Sequence, residues 1–145
     1  MSSEACPMPV PATSDEETII RHLLQAKRIA VVGITDDRSR PSHYVSDYLL
    51  SQGKELIPVN PNHATVLGRK CYASLKQVPG QIDVVDVFRR PEFCADVVRD
   101  AIAVGAKGVW LQSGIISDEA KKLAQDAGIL FVQNRCLMVE HSRHA

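Results

Sequence analysis

The feature that most constrains this chain is a rhythm. Short β-branched runs alternate with stretches whose apolar residues recur at helical spacing. The runs are Ile29-Ala30-Val31-Val32, Leu56-Ile57-Pro58-Val59, Asp83–Phe88, Val109-Trp110-Leu111 and Ile129–Val132. Apolar runs this short, with little polar alternation, suit strands buried on both faces, as in a parallel sheet. Between them, Val45, Tyr48 and Leu49 mark a helix near 42–51 that stops at Gly53. Val97, Val98, Ala101 and Ile102 mark another over roughly 92–104, closed by Gly105. Ser117 caps a third, which carries Ala120, Leu123, Ala124 and Ala127 and ends at Gly128.

Ahead of the first run, Ser14 with Glu17 three residues on is a capping-box start. Ile19, Ile20, Leu23 and Leu24 then give that helix its apolar stripe. Residues 1–13, with Pro7, Pro9 and Pro11, are expected to be a flexible extension, leaving 14–145 as one domain. The end, 134–144, predicts one or two helical turns. Pro58 has no amide to donate, so the second run belongs at a sheet edge or a bulge. Strands alternating with helices build βαβ units. Right-handed crossovers then reduce the choice to an α/β fold, a Rossmann-like doubly wound parallel sheet of about five strands with helices on both faces. In such sheets ligands bind outside the carboxyl ends of the strands, at the switch point.

Composition narrows the partners. Lys+Arg and Asp+Glu are both 17, so the 145-residue chain carries no formal net charge. Nucleic acid and anionic membrane surfaces select a basic excess and are excluded as main partners. No apolar run reaches the roughly 20 residues of a membrane helix. The start lacks a basic segment followed by an apolar one, so no signal peptide is expected and the cytoplasm is the expected address. Cys6, Cys71, Cys94 and Cys136 form no CxxC pair, which leaves zinc, thioredoxin-like and disulfide-scaffold readings without support.

The strand ends carry the chemistry. Gly33-Ile34-Thr35 follows the first run, Asn60-Pro61 the second, Phe88-Arg89-Arg90-Pro91 the third and Gln112-Ser113-Gly114 the fourth. A glycine there lets a ligand approach the backbone. The following loop brings Arg38 and Arg40, and Pro41-Ser42 opens a helix whose free amides favour an anion. This predicts a phosphate cradle, set against a merely solvated arginine-bearing loop. The dinucleotide pattern GxGxxG is incomplete, because Thr35 and Arg38 stand where its later glycines belong. Nor does the second run end in the acid that holds the ribose of NAD. Arg69, Lys70, Arg89 and Arg90 add charge for a ligand with more than one phosphate group, unless the last two pair with Asp86 or Glu92.

Seven segments occur in order: Val-Val-Gly-Ile-Thr, Ser-His-Tyr-Val-Ser-Asp-Tyr-Leu, Ile-Pro-Val-Asn-Pro, Leu-Gly-Arg-Lys-Cys-Tyr, Val-Val-Asp-Val-Phe-Arg-Arg-Pro, Gly-Val-Trp-Leu-Gln-Ser-Gly and Asn-Arg-Cys-Leu-Met-Val-Glu-His. Across about residues 15–142 the sequence resembles the single-domain CoA-binding proteins, small relatives of the CoA-binding domain of the succinyl-CoA synthetase α subunit. The resemblance implies coenzyme A at the strand ends. Gly33, Ile34 and Thr35 would contact its phosphates, with Arg38 and Ser42 completing the loop. Val59, Asn60 and Pro61 would border the adenosine. Phe88 and Arg89 would flank the nucleotide and pantetheine path, and Gln112 would line its floor. Where that family often has Asp-Arg-Cys, this chain has Asn134-Arg135-Cys136.

The reading is a small-molecule binder of CoA or an acyl-CoA, without catalysis of its own. A small dinucleotide-dependent oxidoreductase and a partner-dependent subunit of an acyl-CoA enzyme are the alternatives, and self-association or an unidentified protein partner is compatible with the neutral charge. His22, His141 and His144 read as surface residues, and His43 and His63 as loop residues beside the cleft. Trp110 and Phe93 read as core. Cys136 beside Arg135 is either a packing cysteine or a thiol near the pantetheine end, open to exchange with CoA disulfide.

Overall fold

A computed structural model describes residues 15–144. The expected extension over 1–13, Cys6 and the expected cap Ser14 lie outside the described residues. Asp15 caps the first helix, α1 (Glu16–Leu23), accepting from the Thr18 amide at 3.3 Å and its hydroxyl at 2.9 Å. A carboxylate at this position satisfies an otherwise unpaired amide and suits the positive end of the helix.

Five strands form one all-parallel sheet: β1 (Arg28–Val32), β2 (Glu55–Val59), β5 (Val84–Val87), β6 (Gly108–Leu111) and β7 (Leu130–Val132). Their spatial order is β2-β1-β5-β6-β7. Helices α2 (Pro41–Ser51), α3 (Pro91–Ala103) and α4 (Asp118–Ala127) connect them, and α5 (Leu137–His144) closes the chain as two turns. This is the expected α/β Rossmann-like sheet.

The period-two alternation of strand side chains divides the core. Ala30, Val32, Ile57, Val59, Val85, Val87, Val109 and Leu111 face α3 and α4, meeting Cys94, Val98, Ala101, Ala120 and Ala124. Ile29, Val31, Leu56, Val84, Trp110 and Val132 face the other way, against Ile20 and Leu23 of α1, Val45 and Leu49 of α2 and Leu137 of α5. Helices therefore cover both faces. Pro58 lies on β2, an edge strand, and its carbonyl accepts from the Tyr72 amide at 3.0 Å. The edge tolerates its missing donor.

Between β2 and β5 the sequence pattern gave no warning of a hairpin. Thr65–Val66 (β3) and Arg69–Lys70 (β4) pair antiparallel around Leu67-Gly68, both at positive φ. Two such residues are what a tight two-residue hairpin demands. Arg69 and Lys70 are consequently exposed strand residues of this hairpin, not loop residues on the rim of the cleft. Trp110 is fully buried, as expected, and its indole N–H donates to the Arg135 carbonyl at 2.8 Å. Phe93 departs from expectation: it is half-buried on α3, outside both core clusters.

Candidate functional site

Because β1 sits between β2 and β5, the chain leaves β1 to one side and later returns on the other. The strand ends at that reversal are stitched together. The Gly33 amide donates to the Val59 carbonyl at 3.0 Å, and the Phe88 amide to the Val32 carbonyl at 2.9 Å. Gly33 has φ +89°, and a Cβ there would sit 2.5 Å from the Phe88 carbonyl oxygen. Only glycine combines this backbone with this approach.

A cleft with two lobes opens over the reversal, and Gly33, Phe88, Arg89 and Arg90 border both. The first lobe, about 600 Å³, lies between the end of β2 (Val59, Asn60, Pro61) and α3 (Phe93, Val97, Asp100). The second, about 740 Å³, lies between α2 (Pro41, Ser42, Tyr44) and the loop after β6 (Gln112, Ile115), with Cys136 at one wall. A ligand long enough to occupy both lobes must cross the ridge at Gly33.

Two helices begin at this cleft in the same way. Arg40-Pro41 opens α2 and Arg90-Pro91 opens α3, each with arginine as the N-cap, proline in the first turn and no side-chain cap. Proline has no amide to offer and the His43 and Phe93 amides donate to the Arg40 and Arg90 carbonyls at 3.0 and 2.9 Å, so the Ser42 and Glu92 amides are left to solvent or a ligand, where the positive helix ends favour an anion. Arg89 lies 4.5 Å from the Phe93 ring centre and Arg90 5.6 Å, so the ring gathers both guanidiniums. Arg90 also approaches Glu92 at 3.9 Å, whereas among the described residues Arg89 makes no ion pair. Asp86 is not its partner. Arg40 is exposed and 3.8 Å from Asp37. Asp37 itself accepts from the amide and hydroxyl of Ser39, bonds that hold its carboxyl below the usual range and tie the loop into a turn.

The structure brings most of the expected positions to this cleft and gives several of them other duties. Thr35, Ser42 and Gln112 border the second lobe, and Val59, Asn60 and Pro61 the first. Ile34 is fully buried and lies outside the lining of both lobes. Arg38 is exposed on the loop and lies outside the lining of both lobes. Asn60 donates through Nδ2 to the Ile34 carbonyl at 2.8 Å and accepts at Oδ1 from the Asn62 amide at 2.9 Å. Both ends of its amide are thus spent on clamping the loops after β1 and β2.

Gln112 leads to a residue that strand periodicity had absorbed. Its Nε2 donates to Asp86 Oδ1 at 2.6 Å, and its Oε1 accepts from the Leu137 amide at 3.4 Å. Asp86 is fully buried on β5, and among the described residues its Oδ2 has no hydrogen-bond partner. Burial raises its carboxyl to about 7, and the Gln112 bond pulls the other way. One acid among Val84, Val85 and Val87 was the available signal. Phe93, Tyr44 and Ile115 carried no signal of their own, because each reads as an ordinary apolar residue of a helix or loop.

The remaining candidates settle as follows. Asn134 has φ +60° and accepts at Oδ1 from the Gly114 amide at 2.8 Å, holding the loop after β6. Arg135 turns to Glu16 at 2.6 Å and Glu140 at 3.7 Å. Its charge is therefore engaged with carboxylates, while Cys136 borders the second lobe. His43 lies within α2, not on a loop, and His63 approaches Asp36 at 3.4 Å. His141 is half-buried and bonded to the Tyr48 hydroxyl at 2.9 Å, and His144 lies 3.0 Å from Glu17, so neither is a simple surface residue.

A family model described as a CoA binding domain matches residues 27–142. The chain is 40% identical over 124 residues to the YneT protein of Bacillus subtilis, covering 85% of this chain and 92% of that one. It is 28% identical over 108 residues to the ADP-forming acetate–CoA ligase II of Archaeoglobus fulgidus, covering 73% of this chain but only 16% of the ligase. Among solved structures, a protein of Pyrococcus horikoshii OT3 superposes with a TM-score of 0.86 at 41% identity, covering 94% of this chain and 97% of that one. A dinucleotide-forming acetyl-coenzyme A synthetase of Ca. Korarchaeum cryptofilum, solved with phosphate and ADP, superposes with a TM-score of 0.72 at 25% identity, over 79% of this chain and 27% of that one.

Proposed function

The chain belongs to the CoA-binding domain family, and we propose that it holds coenzyme A, or an acyl-CoA, in the two-lobed cleft at the switch point. One observation carries this reading: both lobes meet at Gly33, where a Cβ has no room, beside Arg89, a cation without a carboxylate partner among the described residues. CoA is an elongated molecule with a diphosphate at its middle. The ridge suits the diphosphate, with the open amides of α2 and α3 and the guanidinium of Arg89 around it. Val59, Asn60 and Pro61 border the adenosine in the first lobe, and Gln112 floors the second, where the pantetheine arm lies.

The dinucleotide alternative fares worse at Asn60. Both ends of its amide are engaged, and no carboxylate stands at the end of β2 to hold the ribose hydroxyls of NAD. The role is binding without self-contained turnover, since the most perturbed acid, Asp86, is sealed in the core. A second reading, a partner-dependent subunit of an acyl-CoA enzyme, is favoured by one match. The chain is 28% identical to the α subunit of the Pyrococcus furiosus ADP-forming acetate–CoA ligase II, spanning 20% of it. Co-purification with a second subunit tests it.

Thermal shift tests the main reading. CoA is expected to raise the melting temperature more than NAD, NADP or ATP do, with dephospho-CoA intermediate. Arg89→Ala is expected to weaken CoA binding about tenfold or more with unchanged circular dichroism, as for a lost charge-assisted phosphate contact of about 1.5–3 kcal/mol. Equal shifts for all of these nucleotides, or none, would sink the proposal.

A further inference from the structure

The second lobe is the larger of the two, about 740 Å³ against about 600 Å³, yet it would receive the pantetheine arm, the smaller half of CoA. Space is left beyond the arm. Part of the wall of this lobe is apolar, where CoA itself has little to match it. Tyr44, Val45, Phe88, Ile115 and Cys136 border the lobe. Tyr44 stands 44% exposed on the lobe itself. An exposed aromatic ring beside buried apolar neighbours in a polar cleft suits an apolar group of the ligand.

We propose that the second lobe takes the acyl group of a CoA thioester, and that the preferred ligand is an acyl-CoA with an apolar chain of several carbons, not free CoA. This rests on the CoA reading above. The phosphates and adenosine supply anchoring common to all CoA derivatives, and the chain lies against Tyr44, Ile115 and the Cys136 wall. Each methylene fully removed from water there raises affinity about fourfold. Half burial over the four methylenes that separate hexanoyl from acetyl therefore gives about a tenfold gain in affinity.

Calorimetric titration of the full chain with CoA, acetyl-CoA and hexanoyl-CoA tests this. Hexanoyl-CoA is expected to bind about tenfold more tightly than acetyl-CoA, and Tyr44→Ser to shrink that ratio severalfold. If CoA binds and hexanoyl-CoA binds no more tightly, the acyl inference is overturned and the CoA reading stands. Absence of binding by any of the three overturns both.

Discussion

Replacing Asp86 by asparagine is expected to favour the folded protein increasingly as the pH rises. Asp86 lies on the central strand β5, in register with Val31 on one side and Trp110 on the other, and is fully buried. Its hydrogen-bond donor is Gln112, at 2.6 Å. Burial raises the carboxyl from 3.8 to about 7. In the unfolded chain the same group titrates at its ordinary value. Between those two values the folded state keeps a proton that the unfolded state has released, so raising the pH draws the equilibrium toward unfolding. The penalty on folding is absent well below pH 4, grows from about 4 to about 7 and is complete above that. Three pH units correspond to about 4 kcal/mol. Asparagine keeps an acceptor for Gln112 and carries no charge. Its extra donor occupies the position of the unpartnered Oδ2, at a cost of about 1–3 kcal/mol that does not depend on pH. The stability difference between Asp86→Asn and the natural protein should therefore move in favour of the variant by about 2–3 kcal/mol between about pH 5 and about pH 8. Urea unfolding followed by the fluorescence of Trp110, the one tryptophan of the sequence, measures it directly. A difference that stays constant across that range would refute the reasoning, since it would mean that Asp86 titrates alike in both states.

Two further outcomes follow from the cleft. Gly33→Ala places a Cβ 2.5 Å from the Phe88 carbonyl at φ +89°, and thermal unfolding should show a loss of at least about 2 kcal/mol together with weakened CoA binding; an unchanged melting temperature would contradict the close approach. Exposed to CoA disulfide, Cys136 should form a mixed disulfide by thiolate attack, releasing one CoA thiol. Cys71 and Cys94 should stay free, because both are buried, with their thiols pushed up by burial, that of Cys94 to about 11. Peptide mass spectrometry without an adduct at Cys136 would rule this out.

Much of the architecture was legible because strand and helix periods are local. Burial on both sheet faces favours apolar runs with little polar alternation, so the valines of β5 announce a parallel strand without any partner in view. Helix stops were legible for a similar reason: Gly128 adopts φ +76° after α4, a conformation that other residues avoid. Pro58 carried its own restriction, and an edge strand was the consequence. The hairpin β3–β4 escaped because two-residue strands have too few residues to show a period, and Arg69 and Lys70 were misplaced with it.

The site divides along the same line. Its anchor points, Gly33, Asn60, Phe88, Arg89 and Gln112, were legible as strand ends, since a doubly wound sheet puts all of its carboxyl ends on one side. What those side chains do once there was not. Asn60 clamps two loops, Ile34 is sealed inward, Arg38 stays outside the cleft, and Phe93 leaves the core to hold two guanidiniums. Gln112 reaches down to Asp86 and across to α5, through contacts separated by about 25 residues in sequence. The amino-acid order by itself determined the sequence of strands and helices and the chemistry at their ends, because both depend on neighbours within a few residues. Only the tertiary structure decided which charges meet, which stay unpaired and how two lobes share one ridge, because those depend on distances between segments that no local pattern encodes.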